Sequence, residues 1–97
     1  MSTPEEATPA DIVIRKSGGP KKVARYVGRS ASLVSRWKRP KARGGTDGII
    51  PAVHQLQIIE AAITHRFPLR LEDFFPSDLV ERLRASNAEL GATEEAA

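Results

Sequence analysis

Ser32, Ser35, Arg36 and Arg39 are the residues whose types and spacing suit a chemical task. A helix that begins near Ser30 turns about 100° per residue. It therefore places these four on one side and Leu33, Val34 and Trp37 on the other. One face packs and the other is free to read. Arginine makes a bidentate contact to guanine O6 and N7, and serine donates to or accepts from base edges and phosphates. Arg36 is the leading candidate for base readout. Around this face, eleven of the fifteen Lys and Arg residues fall between Arg15 and Arg43, and no Asp or Glu lies between Asp11 and Asp47. So one-sided a stretch repels itself unless something anionic neutralises it, and nucleic acid is the expected partner. A flexible basic linker would carry the charge without the ordered apolar spacing.

Within that stretch the remaining cations sort by position. Lys21, Lys22 and Arg25 lie on and near the first turn of a second helix, whose N-terminus offers free N–H groups to a phosphate. Arg29, Lys38, Lys41 and Arg43 flank the reading helix and are expected to add phosphate contacts. These contacts set register, and counterion release makes them salt-dependent.

Other chemistry finds no support. The chain has no cysteine, which removes disulfides and thiolate sites and suits a reducing cytoplasm. His54 and His65 stand apart from any Cys or suitably spaced carboxylate, so no metal is expected. Gly44-Gly45-Thr46-Asp47-Gly48 lacks the Lys-Ser or Lys-Thr and the preceding strand of a phosphate loop and reads as a turn. Glu72-Asp73 and Glu94-Glu95 are neighbours that do not face one another on a helix, and no base or nucleophile accompanies them. Neither enzymatic activity, a cofactor nor a small-molecule ligand is expected. No apolar run is long enough to span a bilayer, and the start, Met-Ser-Thr-Pro-Glu-Glu, is acidic where a secretory signal is basic. The expected location is the cytoplasm, at the nucleoid, without membrane contact.

The elements that must position these residues follow from punctuation. At 97 residues one compact domain is expected, and seven Pro and seven Gly divide it into short helices. The fold class is an all-α bundle of about five short helices. Residues 1–8 and 91–97 hold nothing to bury and read as disordered tails, the first acidic. The DNA-binding domain is read as 9–76, followed by a helix over 77–90. A first helix starts near Pro9, with Ile12, Val13 and Ile14 read as its buried side, and stops at Gly18-Gly19. Pro20 opens a second, running through Tyr26. Gly28 and Arg29 turn the chain, Ser30 caps a third helix over Ala31 to about Lys38, and Pro40 ends it. Lys41 to Gly48 reads as a basic loop or small wing. Pro51 opens a fourth helix to about Arg66, where Val53, Leu56, Ile59 and Ile63 are expected to anchor the core. Leu71 to Phe75 reads as a short helical turn. Ser77 caps a last helix bearing Leu79, Val80, Leu83 and Leu90.

Between Pro20 and Arg39, four positions have defined packing tasks. Ala24 is small where two helices cross, Gly28 permits a positive φ in the turn, and Val34 and Trp37 pack between the helices. Trp37 is read as core and not as a base-stacking aromatic. The pattern Ala24-x3-Gly28-x5-Val34-x2-Trp37 resembles the helix-turn-helix of the Cro and C1 repressor class. Ser35-Arg36-Trp37-Lys38-Arg39-Pro40, with the later Ile50-Pro51, is similar to a subgroup of small bacterial and prophage Cro-like regulators. The likeness covers roughly residues 12–75. It implies a compact helical DNA-binding domain, often dimeric, that represses or activates promoters. Ser30, Ala31, Ser32, Ser35 and Arg36 match the family's base-reading positions. Where the Cro-like pattern often opens its second helix with glutamine, this chain has Pro20, so that phosphate contact falls to the backbone or to Lys21.

The expected function is thus sequence-specific binding of double-stranded DNA by a transcription regulator, with RNA polymerase as a further partner. One helix-turn-helix reads few base pairs, so a homodimer reading two half-sites is expected. Its seam is placed at Phe74, Phe75, Leu79 and Leu83, the alternative being that Leu79, Val80, Leu83 and Leu90 cover the domain's own core. A protein-interaction module, such as an antitoxin or an adaptor of the transcription machinery, is the alternative on the same fold. Docking surfaces favour apolar anchors, however, and the third helix presents serines and arginine. RNA or single-strand binding would need exposed stacking aromatics, which the basic stretch lacks.

Overall fold

The computed structural model describes residues 7–96, with side chains through residue 90. Among the described residues five α-helices and two 3₁₀ turns follow one another and no strand occurs. The chain is an all-α bundle.

Helix α1 (Pro9–Lys16) begins on a reciprocal cap. The Thr8 hydroxyl accepts the Asp11 N–H at 3.1 Å, and the Asp11 carboxylate accepts the Thr8 N–H at 3.0 Å. Two of the helix's orphan donors are thereby satisfied. Thr8 is thus part of the folded unit and not of a tail. Ala7 of the expected N-terminal tail is half-buried beside it, and residues 1–6 lie outside the described residues. Gly18 and Gly19 release the chain, and Pro20 opens α2 (Pro20–Val27). Gly28 ends α2 with φ +69°, a left-handed conformation that only glycine adopts without cost, and this lets Arg29 donate its N–H to the Ala24 carbonyl. Ser30 then caps α3 (Ala31–Arg36), its hydroxyl accepting the Leu33 N–H at 3.1 Å.

Beyond Arg36 the chain tightens. Trp37, Lys38 and Arg39 each donate an N–H three residues back, so α3 ends two residues before its expected limit at Lys38. A 3₁₀ turn at Lys41–Arg43 leads to α4 (Ala52–His65), which Arg66 closes at φ +61°. A second turn, Leu71–Phe74, precedes α5 (Ser77–Ala96). The backbone of α5 continues past residue 90, where the reading of the sequence placed a tail; Ala and Glu there are good helix formers.

The core joins Ala10, Val13 and Ile14 of α1, Val23, Ala24 and Val27 of α2, Val34 and Trp37, Ile50, Ile58 of α4 and Phe74. Two expectations are corrected here. Val53, Leu56 and Ile63 do not anchor the core: they are 63%, 67% and 73% exposed, and Ile58 fills that place with Ile59 beside it. Helix α4 is apolar on more than one side, and α2, against which it packs, selects the side carrying Ile58. Phe74, placed on a dimer seam from sequence, is 1% exposed and belongs to the core; its neighbour Phe75 faces outward. Lys16 reaches from α1 to Asp73 at 2.9 Å, which ties the Leu71–Phe74 turn to the body.

Candidate nucleic-acid interface

Helix α3 is short, so its direction depends on what holds it. Val34 and Trp37 pack inward against Val23, Ala24 and Val27 of α2 within one buried cluster. The ring of His54 on α4 stacks on Trp37 with centroids 5.4 Å apart and planes 28° apart. The Trp37 carbonyl accepts the Gly48 N–H at 2.7 Å and the Thr46 hydroxyl at 3.0 Å. Trp37 is therefore clasped by α2, α4 and the loop that follows α3, and its indole is a structural group, not a stacking platform for bases.

On the outer side, Ala31, Ser32, Ser35, Arg36 and Arg39 line one shallow open hollow. Five of the six residues read from sequence as base-contacting are thus brought together. Arg39 lies beyond the last residue of α3 but reaches the same hollow through the tightened turn. Ala31 is half-buried against the core, which leaves part of its methyl for an apolar contact. Ser30, the sixth, has its hydroxyl engaged in the helix cap. Ser30→Ala is therefore expected to cost about 1 kcal/mol of stability, or a drop of roughly 4–8 °C in melting temperature. Thermal unfolding measures this. Selection on randomised duplexes should show the same base preference as the wild type, and a changed preference would return Ser30 to the reading face.

The cations fall into two groups. Lys21, Lys22, Arg25, Arg29, Lys41 and Arg43 are exposed, as are Arg36 and Arg39, and none has a carboxylate oxygen within 4.0 Å among the described residues. Lys38 differs: its ammonium lies 3.7 Å from Asp11 of α1, so its charge is partly answered within the chain. Burial works against ionisation of Asp11. The Thr8 N–H and hydroxyl outweigh it together with Lys38, and hold the carboxyl below its ordinary range. Next to Lys21 and Lys22, the N-terminus of α2 has no side-chain cap, which leaves its first N–H groups free for an anion.

The Lys41 to Gly48 segment is folded onto α3. Asp47 accepts the Lys41 N–H at 2.8 Å through its carboxylate and donates its own N–H to the Arg39 carbonyl at 2.8 Å. Gly45 packs so closely that a Cβ there would collide with the carbonyl oxygens of Arg36 and Arg39. The backbone that carries Lys41 and Arg43 is thereby fixed against the C-terminal end of α3. Sequence reasoning passed over Gly45, Thr46 and Asp47 as a plain turn. Their signal was the Gly-Thr-Asp-Gly run, in which the hydroxyl and carboxylate could have been read as loop-fixing acceptors.

Comparison of the chain with protein-family models, curated proteins and solved structures gives no match. No helix among the described residues is long and apolar enough to cross a membrane, and no group of His, Cys, Asp or Glu among them could hold a metal ion.

Proposed function

We propose that this chain is a sequence-specific regulator of transcription of the Cro/C1 kind, acting on double-stranded DNA in the bacterial cytoplasm as a homodimer. The single observation that supports it best is one surface. Ser32, Ser35, Arg36 and Arg39 share an open hollow on the outer side of α3, and the segments before and after it carry exposed cations with no carboxylate oxygen within 4.0 Å among the described residues. In this reading α3 enters the major groove and Arg36 forks onto a guanine. The serines add shorter polar contacts, while Lys21, Lys22, Arg25, Arg29, Lys41 and Arg43 bind phosphates. Lys38 contributes less, because Asp11 already pairs with it. Occupancy of a promoter then blocks or recruits RNA polymerase.

A docking module for an acidic protein would use the same charge but would need apolar anchors among the cations. The exposed large apolar side chains lie instead on α4, on the Leu71–Phe74 turn and its neighbour Phe75, and on α5, with none on the outer face of α3. This distribution favours a groove over a protein.

Selection of binding sites from random duplex DNA, followed by a salt series, tests the proposal. The wild type should enrich a palindromic motif, with affinity falling linearly in log salt by about 0.9 per phosphate contacted. Lys22→Ala should weaken all sequences alike and reduce the slope by about one. Absence of any motif, with weak binding at moderate salt, would refute the regulator reading.

A further inference from the structure

Helix α4 turns Leu56 and Ile63 outward with the partly buried Ile59 between them, a spacing of three and four residues along one stripe. Ile63 shares a hollow with Leu71, and Leu71 shares a second hollow with Phe75, Leu79 and Leu83 of the following segment. The two helices therefore present one continuous apolar surface that turns at Leu71. We propose that a second copy of this chain docks on this surface, with α4 and α5 forming the seam together.

Three observations point to a second copy. The first is area. A large aliphatic side chain carries roughly 60–120 Å² of removable apolar surface, and the six outward residues are each 46–73% exposed. With the polar rim that accompanies any interface, the patch comes to about 400–800 Å², whose upper end reaches the ~800 Å² that each partner of a stable pair contributes. The second is charge. Glu60, Glu72 and Glu81 accompany Arg66, Arg70 and Arg84 along these elements, and Glu72 already holds Arg70 and Arg84. A two-fold contact sets each residue against its exchanged partner, so it suits a rim of both signs; DNA or an acidic peptide would call for basic residues alone. The third is the state of α5. It packs on the body through the Leu71–Phe74 turn, and from Glu81 to Leu90 every described residue is exposed. A helix with so little tertiary support is marginal alone. The matching helix of a second copy supplies that support.

The seam itself stands without DNA; that it sets the spacing of two half-sites rests on the regulator reading. Sedimentation of the full chain without DNA should show twice its 10.6 kDa mass. Leu56→Glu on α4 and Leu83→Glu on α5 should each weaken self-association about 30-fold or more while retaining the wild-type helix content. Leu83→Ser is the milder change should the glutamate disturb α5. On duplexes, the monomeric variants should hold a single half-site as the wild type does and lose the tight binding of the palindrome. A wild type that stays monomeric at high concentration overturns the seam, and so do variants that remain dimeric. If Leu56→Glu dissociates the pair and both α5 changes leave it intact, the two-helix surface is refuted. A dimer that binds no duplex refutes only the regulator reading.

Discussion

Trp37→Ala should lower the melting temperature by more than about 12 °C and abolish binding to any duplex. The indole is 2% exposed and is the largest fully buried side chain of the domain. Its removal deletes packing against α2 and the stack on His54 together. Truncating a buried tryptophan costs about 3–5 kcal/mol. Domains of this length are stable by only about 5–15 kcal/mol in all, and each kcal/mol moves the midpoint roughly 4–8 °C. Loss of binding follows because α3 is only six residues long and cannot stand without its packing. Trp37→Phe should recover part of the midpoint and with it the binding. Unfolding followed by circular dichroism, beside anisotropy on a selected duplex, separates the alternatives. A variant that melts like the wild type yet loses DNA would make the indole a DNA contact and refute its place in the core.

Arg36→Ala should leave the melting temperature where it is and cost about 1–3 kcal/mol of duplex affinity, roughly 5–150-fold, with preference relaxed at one base position. The guanidinium is exposed and free of any described carboxylate, so removing it disturbs no packing or ion pair. Only the backbone of Arg36 takes part in the fold, through the Arg39 N–H that its carbonyl accepts at 2.9 Å. Arg36→Lys keeps the charge but loses the planar fork, so it should restore part of the affinity and little of the base preference. Competition between the selected duplex and single-base variants measures both. Equal loss on every sequence would make Arg36 a phosphate contact and move base readout to Ser32, Ser35 and Arg39.

The helix ends were legible because each is set by short-range stereochemistry. Pro9, Pro20, Gly28, Ser30 and Pro51 each act within a few residues, so α1, α2 and the start of α3 stand close to where the sequence places them. The outer side of α3, where Ser32, Ser35 and Arg36 share a hollow, was legible for the same reason. Val34 and Trp37 enter the core as their spacing requires, while Leu33, read onto the same side, stays half-buried outside the cluster.

What the sequence by itself determined is therefore local: the number of helices, most of their ends, and the opposition on α3 of Val34 and Trp37 to Ser32, Ser35 and Arg36, whereas Thr8, the cap of α1, read as tail and Ser77, read as the cap of α5, is its first helical residue. The tertiary structure decided everything that depends on a neighbour. It chose Ile58 over Leu56 and Ile63 as the buried side of α4, because an all-round apolar helix has no preferred face until α2 is beside it. It buried Phe74 and left Phe75 outside, a choice between adjacent and identical residues that only their surroundings can make. It paired Lys38 with Asp11, 27 positions away in sequence, and so set one cation apart from the rest. It also folded Thr46, Asp47 and Gly48 back onto the carbonyls of Trp37 and Arg39. Hydrogen bonds between segments form only once packing has brought the segments together, which is why this loop read as a plain turn until its partners were in place.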